Sequence, residues 1–471
     1  MYCKYNFQIR EIFTSYSEYL CIFAKSNQLK KNKVMLLRFS VQNFLSFYDE
    51  VTFDMFPNPQ RKLFQNRINT ENKIPLLTQA LIYGANGSGK SNFVKALGVL
   101  QGIVMDEDYL KGGDVNSAKF QLVEKNDKDT KFEVEFEMGG KYYLYNVSIS
   151  DKLVEEFYES GVDEKEDRLI FRRDGFEVES SYFIGEGDQD RARMLLEKNP
   201  RSSIIPLTRK FPIFKEDIAF KAIEYWCGDR LKVMRINRNI PSLITMLSMD
   251  KDLYDYTNRL INQLDISDAL TIKEVPLQEW LRTADNASEM EERLERQPVT
   301  EYMGVALDDL DGYTKGNIIK NEKGEDVVRE LVFEQLGVGG YHKGLSAALQ
   351  SDGTKRLLQI IPAVFYALSG YVVVIDEIEN SMHPDLVYAL MKTYSESNSK
   401  GQLIFTTHLA RLQDQQRLVR PDEVWLTEKH EGCTKMRSMN DFKIHHTMNL
   451  ENGYREGRYG GVPDIKEMSH E

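Results

Sequence analysis

The residues Gly84-Ala85-Asn86-Gly87-Ser88-Gly89-Lys90-Ser91-Asn92 have types and spacing that specify chemistry most directly. The three glycines let the backbone wrap an anion with its N–H groups turned inward. The chain from Asn92 to Leu97 reads as a helix whose positive dipole end faces the same anion. Lys90 is placed to reach β- and γ-phosphates as a point charge, and the Ser91 hydroxyl to ligate Mg²⁺. Leu81-Ile82-Tyr83 supplies the apolar strand end that must precede such a loop. A glycine-rich turn before a helix is the plainer alternative, but strand, loop and helix come in the order that nucleotide binding requires.

Two later strand ends carry further reactive residues. Tyr371-Val372-Val373-Val374-Ile375 is a continuous run that predicts a parallel strand buried on both faces, and Asp376-Glu377 ends it. Acids at that carboxyl edge lie where open α/β sheets bind ligands. Asp376 is placed to hold Mg²⁺ directly or through water, and Glu377 to polarise the water that attacks a γ-phosphate. Gln402-Leu403-Ile404-Phe405-Thr406-Thr407 predicts a second buried strand, ended by His408. At the same sheet edge, His408 could hydrogen-bond a γ-phosphate, although a lone histidine after a strand is more often structural.

Other elements must position these groups. Residues 1–34 carry aromatics, two cysteines and the basic Lys30, Lys31 and Lys33, and read as a peripheral extension ahead of Met35, itself a candidate start. Leu37, Phe39 and Val41 alternate with polar neighbours, which predicts a half-buried strand, and Val51–Phe53 a second. Phe132, Val134, Phe136 and Met138 face one way before Gly139-Gly140, and Tyr143, Tyr145, Val147 and Ile149 follow, which predicts a hairpin. Residues 161–329 read as a mainly helical insertion, with Arg230, Lys232, Arg235 and Arg238 as a weak basic patch that a solvated helix face explains as well. Glu330–Glu334 predicts a strand in the segment 330–471, and Ser351 is placed to cap a helix from Asp352, with Gly353 allowing close approach to a ligand. The predicted organisation is 1–34, 35–160, 161–329 and 330–471.

Composition narrows the function classes. Lys and Arg number 61 against 73 Asp and Glu, a net charge of -12, so no global field favours DNA or an anionic membrane. The cysteines, at 3, 21, 227 and 433, lack paired spacing for zinc or a disulfide framework, which fits a reducing cytosol. No apolar run approaches the ~18 residues of a membrane span.

Four features in this order resemble the ABC-type ATPases of the SMC and OLD group: Gly84–Ser91, Ser351-Asp352-Gly353-Thr354, Ile375-Asp376-Glu377 and Thr406-Thr407-His408. The opening Val41-Gln42-Asn43-Phe44-Leu45-Ser46-Phe47 looks like that group's first strand and turn. Within the group, Ser351–Lys355, Asp376–Glu379 with His383-Pro384, and Gly457-Arg458-Tyr459-Gly460 are similar to compact AAA-type ATPases of bacterial antiphage loci, which include the ATPase subunit of PARIS. The resemblance implies an α/β fold: an ABC-type P-loop head with an antiparallel β lobe, ATP and Mg²⁺ as cofactors, and Lys90, Glu377 and His408 as catalytic residues. It also implies that Ser351 and Gly353 bind the γ-phosphate of ATP held by a second copy, so that a homo-oligomer, at least a dimer, is the working form. Gln350 and Asp352 depart from the usual Leu-Ser-Gly-Gly-Gln of that segment. The glutamine that senses Mg²⁺ in such proteins is not singled out, Gln121 being one candidate.

The chain after His408 shows no acidic cluster of the TOPRIM kind that OLD proteins carry. The resemblance therefore implies a separate effector, such as a TOPRIM nuclease, controlled by the ATPase when a phage-encoded trigger is sensed. An SMC-like repair ATPase that clamps DNA is the rival reading, disfavoured by acidic composition and by the lack of a sustained heptad pattern. A nucleotide-gated scaffold without turnover is disfavoured by Asp376-Glu377, and transport by the lack of an apolar span.

Overall fold

The computed structural model describes residues 33–462 except 72, 113–117, 162–166, 216, 235–242, 283–286, 297–298, 300–304, 309–313, 322 and 445–447. The extension 1–32 and the basic residues Arg235 and Arg238 lie outside the described residues. The chain divides into a larger unit, Lys33–Ile236 with Tyr366–Glu471, and a second unit that includes Asn237–Phe365.

The larger unit is built on a six-stranded sheet in the order Leu231–Met234, Val372–Ile375, Gln402–Thr406, Gln79–Gly84, Val424–His430, Cys433–Ser438. The first five strands run parallel and the last antiparallel. Every residue of Gln79–Gly84, Val372–Ile375 and Gln402–Thr406 is buried, as continuous apolar runs covered on both faces should be. The helix Lys90–Met105 follows the first of these strands and buries Phe93, Val94, Leu97, Leu100 and Val104.

A second, antiparallel sheet of seven strands flanks this core in the order Glu177–Glu179, Arg168–Asp174, Leu153–Ser160, Lys141–Ile149, Thr130–Met138, Val34–Gln42, Val51–Asp54. The predicted hairpin is present: Gly139 and Gly140 both take positive φ, and Met138 pairs with Lys141. Its apolar face packs aromatics in series, Phe136 on Tyr143 and on Trp226, Tyr143 on Phe157. Phe39 and Phe53 meet Phe93 with ring centroids 5.6 and 5.2 Å away, so the lobe braces the first turn of the helix that follows the glycine-rich loop. An α/β core with an antiparallel lobe is the predicted architecture.

The region read as mainly helical is mixed. Arg168–Asp174 and Glu177–Glu179 belong to the lobe, and Leu231–Met234 is the edge strand of the parallel sheet. Arg230 and Lys232, read as a basic patch or helix face, instead stand beside Tyr371, the Arg230 guanidinium 4.6 Å from its ring centre. In the second unit the helices Leu243–Met249, Lys251–Gln263, Leu277–Leu281 and Ala287–Arg296 accompany a sheet in the order Ala269–Pro276, Asp326–Leu336, Thr314–Lys320, Val305–Asp308, with His342–Ser346 on Asp326–Leu336. Its core gathers Leu277, Leu281, Met290, Ile318 and Val328. Ala269–Pro276 buries only Leu270 completely, so its polar text carries little strand signal. The strand predicted at Glu330–Glu334 to begin the C-terminal segment lies within Asp326–Leu336 and belongs to this second unit. Among the described residues, no helix is long and apolar enough to cross a membrane.

Candidate functional site

At two glycines of the loop, close contacts leave no room for a side chain. A Cβ on Gly84 would lie 2.2 Å from Thr427 Oγ1, and one on Gly89, at φ 113°, 2.1 Å from Thr434 Oγ1. Gly87 takes φ 76° and faces open space, so there conformation alone calls for glycine. Ser88 shares a hydrogen bond with Thr427 (2.6 Å), and Thr434 donates to the Ser88 carbonyl (2.8 Å). Ser46, from the turn after the first strand, lies 2.7 Å from Thr434 Oγ1 and accepts from Asn92 Nδ2 at 2.8 Å. That turn is tight, with Asn43 at φ 49° and Leu45 at φ 51°.

Lys90 is buried, and its ammonium donates to the carbonyls of Gly84 (2.8 Å) and Ala85 (3.2 Å). Burial lowers its pKa, opposed by the nearby carboxylates of Glu377, Glu379 and Asp376. Ser91 Oγ donates to Asp376 Oδ1 at 3.2 Å across 285 positions of sequence. The second donor to that oxygen is Thr406 Oγ1, at 2.8 Å, from the neighbouring strand. The same Thr406 hydroxyl accepts the Glu377 N–H at 2.7 Å. Glu377 sits at φ 47°, a conformation costly for a side-chain-bearing residue and found where surrounding structure enforces it. Here Thr406 does so from one side, and the Asn380 N–H closes the turn onto the Glu377 carbonyl at 3.1 Å.

His408 follows directly, its N–H donating to Glu379 Oε1. Burial and the charge of Lys90 lower its imidazole pKa, opposed by Glu379, Glu377 and Asp376. In its neutral form the imidazole offers one donor and one acceptor. The Ser91 hydroxyl and the Asp376 carboxylate are hard oxygen donors of the kind that would suit Mg²⁺.

The larger unit thus brings together Gly84 to Asn92, Asp376, Glu377 and His408. Ser351 and Gly353 belong to the second unit. There Ser351 Oγ accepts the Thr354 N–H at 3.2 Å, the capping role its position predicts. Gln121 is exposed and donates to the Lys119 carbonyl. Sequence reasoning assigned no separate role to Thr406, Glu379, Ser46, Thr427 or Thr434, nor a place to the tail. Tyr454 stacks edge-on against Tyr83 and donates to the Gly461 carbonyl, while Gly461 donates to Glu428, behind the strand end at Gly84. Threonines ending buried strands were the available signal, and it is a weak one.

A protein-family model described as "AAA domain, putative AbiEii toxin, Type IV TA system" matches residues 80–220 and 232–412. No curated protein sequence matches the chain. Among solved structures, an SMC head bound to the C-terminal winged-helix domain of ScpA is 14% identical at a TM-score of 0.41, covering 86% of this chain and 99% of its own. The SMC head domain from Thermotoga maritima is 12% identical at 0.35, covering 86% and 98%. An SMC head from Pyrococcus furiosus, bound to the C-terminal domain of ScpA, is 14% identical at 0.37, covering 90% and 99%. The family match contains the glycine-rich loop, both strand-end acids and His408, and the chain belongs to the AAA_21 family of AAA domains.

Proposed function

We propose that the protein binds MgATP and hydrolyses it as an ABC-type ATPase, and that oligomeric assembly on ATP controls a separate effector in antiphage defence. One observation carries the ATPase reading: Ser91 Oγ bonds to Asp376 Oδ1, one residue before Glu377, at the edge where the glycine-rich loop opens. Lys90 turns from the Gly84 and Ala85 carbonyls to the β- and γ-phosphates, and the loop N–H groups cradle the β-phosphate. Ser91 and Asp376 would hold Mg²⁺, which would supply charge neutralisation at the phosphates. Glu377, its amide tied to Thr406, orients and polarises the attacking water, and neutral His408 donates to a γ-phosphate oxygen. Ser351 and Gly353 serve the γ-phosphate bound by a second copy, which makes turnover depend on assembly. The toxin and type IV system named in the family's description support a defence setting with a toxin or nuclease effector, and the likeness to antiphage ATPases such as the PARIS subunit points the same way.

Glu377→Gln tests this reading. The variant should bind ATP, fail to hydrolyse it, and accumulate as an assembly whose mass at least doubles with ATP and Mg²⁺, whether or not duplex DNA is present. Unchanged turnover would remove Glu377 from the chemistry. Assembly that forms only with DNA would replace the effector-control reading by a DNA clamp.

A further inference from the structure

We propose that Glu379 is a positioning residue for His408 in ATP hydrolysis, a second glutamate that acts on the histidine turn while Glu377 acts on water. The proposal rests on the reading above that His408 meets the γ-phosphate.

The backbone explains why residue 379 can reach the histidine. Glu377 at φ 47° reverses the chain as it leaves the sheet, and the Met382 N–H donates to the Glu379 carbonyl at 2.8 Å. The Glu379 side chain is thereby returned to the sheet edge it has just left. At the neighbouring strand end, the Thr407 N–H still belongs to the sheet, donating to Ile82 at 3.0 Å. The next amide, of His408, has left the ladder and is taken by Glu379 Oε1 at 2.5 Å. The one after, of Leu409, goes to Thr407 Oγ1 at 3.1 Å. Glu379 thus fixes the one peptide that carries the imidazole.

The second oxygen of this carboxylate lies out of water: Oε2 is enclosed with no hydrogen-bond partner among the described residues. Beyond the histidine, the Leu409 carbonyl accepts the hydroxyl of the buried Tyr83 at 3.1 Å.

A double-mutant cycle with the conservative variant tests the assignment on the full-length protein. Turnover, KM and ATP dissociation constant are measured for wild type, Glu379→Ala, Glu379→Gln, His408→Ala and His408→Ala/Glu379→Ala. Glu379→Ala should lower kcat by about ten-fold or more while the ATP dissociation constant stays within about threefold. Glu379→Gln, which keeps an acceptor for the His408 N–H, should recover most of that loss. In the His408→Ala background, adding Glu379→Ala should change kcat by less than about threefold, since residues acting through one another do not add. Losses that multiply in the double variant, or a Glu379→Gln protein as slow as Glu379→Ala, would overturn the proposal. If His408→Ala is slow while Glu379→Ala is not, only the role of Glu379 falls. If His408→Ala hydrolyses ATP at the wild-type rate, the γ-phosphate role of His408 falls and the proposal with it.

Discussion

Replacing Thr406 by valine keeps the side-chain shape and deletes one hydroxyl, the atom joining the acid that would hold Mg²⁺ to the acid that would polarise water. Thr406 is fully buried, so water cannot substitute for the lost group. Two bonds disappear: its donation to the Asp376 carboxylate at 2.8 Å, and its acceptance of the Glu377 N–H at 2.7 Å. The first is a bond to a charged group, and the second leaves an amide without its acceptor. Each costs about 1.5–3 and about 1–3 kcal/mol respectively, and because both centre on one atom the sum overstates the effect. A destabilisation of about 2–4 kcal/mol follows. The catalytic effect should exceed what stability predicts, because the Glu377 amide bond helps hold a residue at φ 47°. Loss of about 1.4–2.8 kcal/mol of transition-state positioning corresponds to a ten- to hundred-fold fall in kcat. The Mg²⁺ concentration for half-maximal rate should rise, since Asp376 loses a donor that orients it. Steady-state phosphate release, titrated with Mg²⁺ and run beside thermal melts, reads all three quantities. Thr406→Ser restores the hydroxyl and should restore most of the rate. Wild-type kcat and Mg²⁺ dependence in Thr406→Val would refute the reasoning, and so would an equal loss in Thr406→Ser.

Gly89→Ala should abolish binding of a fluorescent ATP analogue, since the methyl group would meet Thr434 Oγ1 at 2.1 Å and φ 113° adds about 1–3 kcal/mol of strain; wild-type affinity would disprove the tight fit. Ser351→Arg should cripple turnover at all protein concentrations yet leave ATP affinity of the isolated monomer unchanged; an intact rate would remove the need for a second copy. Burial lifts the Glu137 carboxyl from 4.5 to about 7, against the Gly140 N–H and Lys33. A raised carboxyl pKa gives stability that is complete below about pH 4.5 and is lost as pH rises through about 7, a change of about 3 kcal/mol. Glu137→Gln should therefore gain melting temperature over wild type at pH 8 and match it near pH 5, and a gap independent of pH would mean that Glu137 does not titrate in the folded protein.

Local features were legible because their chemistry repeats over short spans. The glycine-rich loop, the Val372–Ile375 strand with its terminal acids, and the Gly139-Gly140 hairpin each show their geometry within about ten residues, through conformational demand or period-two burial. Leu231–Met234 was not legible, since a short edge strand carrying Lys232 between apolar neighbours looks like any charged surface. Nor was the sheet of the second unit, whose strand Ala269–Pro276 is mostly half-exposed and so lacks clean alternation.

By itself, then, the sequence determined that this chain has a glycine-rich loop, an acid pair and a histidine at buried strand ends, because glycine conformation and continuous apolar runs are properties of neighbouring residues. Only tertiary structure decided that Thr406 joins Asp376 to Glu377, that Glu379 takes the amide of His408, and that Ser46, Thr427 and Thr434 clasp the loop. Those are single hydroxyl and carboxylate contacts between residues tens to hundreds of positions apart. They have no period and no composition, and exist only once parallel strands distant in sequence are laid edge to edge.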